Sequence, residues 1–181
     1  MSTSDIQKVQ QAQLHSTLWD MANNLRGSME AYEFKSYILG LIFYRYLSEK
    51  VEKNAHLLLK EDNISFEDFY ADNDEDVRND FSSDIVESLG YFIAPQYLFS
   101  HFTKVLKETN SFDIEELDKA ISAISESSLG TQSQHDFEGL FDDMDLKSTK
   151  LGKDVKERSQ VIGKVLASID NLDLDFDNAT R

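Results

Sequence analysis

Glycines, histidines and paired carboxylates are the residue types from which this chain would have to build a reactive site. Loops that cradle a phosphate place glycines within a few residues of one another ahead of a helix. The seven glycines, Gly27, Gly40, Gly90, Gly130, Gly139, Gly152 and Gly163, are never that close. A zinc or iron site needs clustered ligands. His15, His56, His101 and His135 are widely separated, and the chain has no cysteine. Their reading is as surface or packing residues. A strained G-x-S-x-G elbow for a nucleophilic serine is also missing. Carboxylate pairs such as Glu115-Glu116 and Asp142-Asp143 read as solvated helix faces or caps, given 34 acidic residues against 18 basic. Asp142-Asp143-Met144-Asp145 gives some carboxylate density, but without the glycine and closing glutamate of a calcium loop.

Charge is the one remaining lead. Residues 26–60 carry six basic and four acidic side chains, whereas residues 61–181 carry 11 basic and 28 acidic. Arg26, Lys35, Arg45, Lys50 and Lys53 are therefore candidates for contact with nucleic acid or with an acidic partner. The competing reading pairs Arg45 internally with a carboxylate and leaves the lysines as ordinary solvated positions. Trp19, Phe34, Tyr37, Phe43 and Tyr46 read as core rather than as a platform for stacking bases.

These residues need elements to hold them, and the patterning is helical throughout. One proline, scattered glycines and little period-two alternation predict an all-α chain. Leu14, Leu18, Met21, Ala22 and Leu25 mark an amphipathic helix from about Asp5 to Leu25. Arg26-Gly27-Ser28 offers a stop and a new start, hence a corner. The run Tyr37 to Leu47 is apolar except at Gly40 and Arg45, which predicts a buried helix from about Ser28 to Lys60, too short in its apolar part to span a bilayer. Further on, Ser65 to Tyr70 reads as a short helical turn or loop with aromatic anchors and Ala71 to Glu75 as an acidic loop. Val77, Phe81, Ile85 and Leu89 recur every fourth residue up to a stop at Gly90.

Tyr91 to Ala94 is extended, and Pro95 begins a helix running to about Glu108. Asp113 and Glu116 form a capping box ahead of Ile114, Leu117, Ile121 and Ile124. Residues 125–135 are expected to be an internal loop, Phe137 to Phe141 a short helical turn. A last helix from about Asp154 to Asn171 turns Val155, Val161, Ile162, Val165, Leu166 and Ile169 inward. The expected fold is a single irregular bundle of about six to seven helices around a buried central helix, occupying residues 1–181.

A formal charge of −16 repels phosphate backbones over most of the surface. The absence of cysteine fits a reducing compartment, and the N-terminus lacks a signal peptide's basic start and apolar core. A cytoplasmic location is expected.

The stretch LWDMANNLRGSMEAYEFKSYILGLIFYRYLSE, beginning at Leu18, resembles the N-terminal region of the modification (DNA methyltransferase) subunit of type I restriction-modification enzymes. GYFIAPQYLF (Gly90 to Phe99) and GLFDDMDLKSTKLG (Gly139 to Gly152) resemble the next two landmarks of that family, in the same order. The resemblance implies a helical domain ahead of a catalytic domain. That catalytic domain is a site-specific, adenine-specific DNA methyltransferase using S-adenosylmethionine and an Asn/Asp-Pro-Pro-aromatic motif that holds a flipped base. With Pro95 the sole proline, no such motif exists here. The chain is expected to be the isolated N-terminal domain, cut before the catalytic domain, with no cofactor or catalytic residue of its own. The implied partners are DNA, a specificity subunit, a second modification subunit and the restriction subunit, with no membrane. The implied role is assembly and closure of the complex around the duplex. The alternative from another class is a stand-alone acidic helical adaptor that recruits basic proteins.

Overall fold

The computed structural model describes residues 3–25, 29, 31–139 and 141–174. The expected corner at 26–28, Leu140 and the ending from 175 onward lie outside the described residues, as do the side chains of Leu14, Ala22 and Leu25. The helices of the described residues run in the order α1 (Thr3–Leu25), α2 (Ala31–Leu59), α3 (Phe66–Asp72), α4 (Glu75–Leu89), a 3-10 turn (Pro95–Tyr97), α5 (Phe99–Thr109), α6 (Ile114–Ser127), α7 (Gln134–Glu138) and α8 (Val155–Asp170). The count of eight exceeds the expected six to seven because the short pieces α3 and α7 close as helices.

Helix α2 is the axis. It packs against α1, α3, α4, α5 and α8, and it spans two apolar clusters. Phe34, Tyr37, Ile38, Leu41, Tyr44, Leu47 and Val51 enter the main core with residues of α5, α6 and α8. One turn further on, Ala55 and Leu59 enter a smaller core with Phe81 and Ile85 of α4, walled by Phe66, Phe69 and Tyr70 of α3. The every-fourth-residue pattern of α4 is why that second core forms, although Val77 at the helix start is 40% exposed. Val155 likewise faces outward at the start of α8.

The run Tyr37 to Leu47, expected to be buried, is not covered on every side. Leu39 is 51% exposed and Leu57 is 62% exposed, so one side of the helix meets solvent along its length. Trp19, expected in the core, is 61% exposed on α1, while Met21 supplies the buried contact there. Leu-rich helices around a core this size have more apolar residues than inward positions.

Helix ends follow local chemistry. Asp74 accepts from the Val77 N–H and Asp154 from the Glu157 N–H, capping α4 and α8. Gly90 stops α4 at φ 85, the left-handed region. Asp113 caps α6 through the Glu115 N–H at 2.9 Å. The reciprocal half of the expected capping box is replaced, since the Glu116 carboxylate takes the Lys119 ammonium at 2.7 Å.

The single helix expected from Pro95 to Glu108 is two elements. Leu98 is extended (φ −70, ψ 146) between the 3-10 turn and α5. Ser48 of α2, fully buried, accepts the Phe99 N–H at 3.0 Å, so a residue 51 positions away supplies the cap that Leu98 cannot. The stretch 125–135, expected to be a loop, starts inside α6, passes through turns and ends inside α7. Ser127 accepts the Phe92 N–H at 2.9 Å and Thr131 donates to the Gly90 carbonyl at 3.0 Å, tying it to the α4 exit.

Candidate functional site

Three of the five basic candidates share one face. Lys35, Lys50 and Lys53 are exposed on α2. With about 100° and 1.5 Å per residue, they fall with Leu39, Tyr46 and Leu57 in a sector roughly 60° wide and about 33 Å long. Lys50 places its ammonium 5.1 Å from the centre of the half-buried Tyr46 ring, an attraction that holds the lysine along the helix. Arg26 lies outside the described residues.

Arg45 belongs to the interior. Its guanidinium donates to the Ile169 carbonyl at 2.6 Å and the Leu172 carbonyl at 2.9 Å, satisfying the C-terminal end of α8. It also pairs with Glu49 at 2.9 Å, with only 12% of its side chain exposed, and lies 6.0 Å from the Phe99 ring. The internal pairing weighed from the sequence is thus present, with backbone carbonyls as the larger part of it.

Around the opposite sides of α2, hydroxyl groups bind irregular backbone. Tyr37 donates to the Asp145 carbonyl and Tyr44 to the Tyr97 carbonyl. In the other direction, Tyr91 donates to the Leu47 carbonyl at 2.8 Å. Burial, with Asp145 nearby, pushes the Tyr37 phenol up to about 12. Burial likewise raises Tyr44 and Tyr91, so all three remain protonated donors at neutral pH. Glu33 of α2 pairs with Lys150, and Met144 packs against Gly40. The segments Gly90 to Phe99 and Gly139 to Gly152 are therefore both strapped onto α2. Sequence reasoning missed these ties because a hydroxyl's partner, a backbone carbonyl about 40 to 110 residues away, leaves no periodic signal.

The histidines are partly reunited. His56 and His101 line one cavity of about 330 Å³ beside Glu52 and Glu67, with Phe66 and Leu98 in its wall. Burial raises the Glu52 carboxyl, and a hydrogen bond from Ser100 at 2.9 Å opposes the shift. Among the described residues no three or more histidine and carboxylate side chains are grouped to hold a metal. No described helix is long and apolar enough to cross a membrane.

With this architecture in view, the comparisons with known proteins are decisive. A family model described as the HsdM N-terminal domain matches residues 14–169. The chain belongs to the HsdM N-terminal domain family. It is 32% identical over 162 residues to the type I restriction enzyme MpnII methylase subunit of Mycoplasma pneumoniae, across 87% of this chain and 30% of that protein. Among solved structures it is similar to the type I restriction-modification system methyltransferase subunit from Streptococcus thermophilus. That likeness has TM-score 0.70 and 29% identity over 90% of this chain and 34% of the other. The chain thus spans about a third of the length of either relative.

Four described glycines of this HsdM N-terminal domain, Gly40, Gly90, Gly152 and Gly163, do not fit an S-adenosylmethionine cradle. A Cβ on Gly40 would meet Met144 Sδ at 2.8 Å and one on Gly163 would meet Phe112 Cβ at 3.3 Å, so both serve close helix packing. Gly90 caps α4, and a Cβ on Gly152 would meet Glu157 and Arg158. At these four glycines the space a phosphate or sulfonium would need is taken up by packing or capping contacts.

Proposed function

We propose that this chain is the assembly and DNA-clamp domain of a type I restriction-modification DNA methyltransferase subunit. The observation that carries the reading is its likeness, over about nine-tenths of its length, to two proteins named as methylase or methyltransferase subunits. The parent subunit is a site-specific adenine methyltransferase that binds S-adenosylmethionine in a separate domain. It works in the cytoplasm with a specificity subunit, a second modification subunit and the restriction subunit. This domain contributes no reacting group. It offers a rigid helical body whose exposed α2 face, with Lys35, Lys50 and Lys53, meets the specificity subunit or the duplex as the complex closes.

The test is charge reversal in the full complex. Lys35→Glu, Lys50→Glu and Lys53→Glu together weaken assembly or duplex retention and lessen its salt dependence. Unchanged assembly together with unchanged duplex affinity contradicts a contact role for this face.

A further inference from the structure

The exposed face of α2 has a spacing that phosphate contact does not call for. Lys35, Leu39, Ile42, Tyr46, Glu49 and Lys53 alternate by four and three residues without a break, the spacing of a helix-packing seam. Its centre is apolar. Leu39 is 51% exposed, and Ile42 and Tyr46 are half-buried beside it. Its ends are basic, Lys50 flanks it, and its one carboxylate, Glu49, is paired with Arg45 at 2.9 Å. A duplex backbone has nothing apolar to set against Leu39, and would desolvate it without gain. A helix with an apolar ridge edged by carboxylates matches both features. The same carboxylates would be repelled by the rest of a chain carrying −16, which steers such a helix to this face.

We infer that the exposed seam of α2 docks an acidic amphipathic helix from a different subunit of the complex. Leu39, Ile42 and Tyr46 pack against its apolar ridge, while Lys35, Lys50 and Lys53 pair with its carboxylates. This inference rests on the assembly role proposed above.

A photoreactive benzoyl-phenylalanine placed at Leu39 of the full-length modification subunit tests it, in complex with the specificity and restriction subunits and a cognate duplex. The expected crosslink is to an acidic segment of another subunit with apolar residues at three- and four-residue spacing. A crosslink to DNA, one to a second copy of this chain, or none in the assembled complex overturns it. Leu39→Glu is expected to weaken assembly about tenfold, comparably to the Lys35→Glu/Lys53→Glu pair. Leu39→Gln is expected to weaken assembly while leaving intrinsic duplex affinity within about twofold; loss of duplex affinity alone overturns the inference. Removing the whole domain separates the two claims. If its removal breaks the complex while the seam variants do not, only the docking inference fails.

Discussion

At the scale of single residues, Arg45 best illustrates how charge in this chain is used. As one of five basic residues it is a contact candidate, but it interrupts an apolar run, and that run is why it is buried and must find partners inside. The carbonyls of Ile169 and Leu172 provide them. Arg45→Ala is expected to cost about 2–3 kcal/mol, since two backbone acceptors lose a charged donor. Glu49→Ala, which removes the more exposed partner, costs less than about 0.5 kcal/mol. Urea unfolding of the pair measures both, and equal losses would mean the ion pair outweighs the carbonyls.

Glu52 behaves oppositely. Burial raises its carboxyl above the ordinary 4.5, so the folded state holds the proton more tightly than the unfolded chain. Its contribution is present at low pH and is lost as pH rises through that raised value. Glu52→Gln, which still accepts from Ser100, raises the melting temperature at pH 7 by an amount that shrinks as pH falls to 4. A melting series over that range checks the sign.

At the scale of elements, much was legible. The recurrence Phe81–Ile85–Leu89 defined α4, and Asp154 with Val161, Ile162, Val165 and Leu166 defined α8 to within a residue, because these helices bury a periodic stripe. The exit from Pro95 was less legible. The break at Leu98 depends on Ser48 reaching the Phe99 N–H, a contact with no local signal. Ser48→Ala leaves that buried N–H unsatisfied and costs about 1–3 kcal/mol, detectable as a lower urea midpoint with unchanged slope. Gly90→Ala combines a left-handed φ, about 1–2 kcal/mol, with a Cβ 2.3 Å from Ser133 Oγ. The double variant Gly90→Ala/Ser133→Ala recovers the part of the steric cost due to Oγ, keeps the 3.0 Å approach of the Ser133 Cβ, and retains the conformational part; a fully additive cycle would deny the clash.

At the scale of the molecule, the signals that identified the family are mostly structural. The landmarks at Gly90 to Phe99 and Gly139 to Gly152 converge on α2 through Tyr37, Tyr44, Tyr91 and Glu33. They mark a fold rather than a reaction. Composition correctly indicated an acidic helical body with a basic island, and three of its lysines do share a face. The apolar run around Arg45 allowed the reading that it pairs internally, but the carbonyls of Ile169 and Leu172, more than 120 residues away, left no local signal. Nor could the sequence show that Trp19 faces out, since a tryptophan is highly buried on average and its side on α1 is not fixed by its type.

The most direct test of the assembly role is sedimentation of the full-length modification subunit, with and without this domain, in the presence of specificity subunit and duplex. Binding of S-adenosylmethionine reports that the truncated subunit remains folded. The account predicts that the truncated subunit binds the cofactor but fails to form a complex that retains the duplex. A complete, duplex-retaining complex formed without this domain would contradict it.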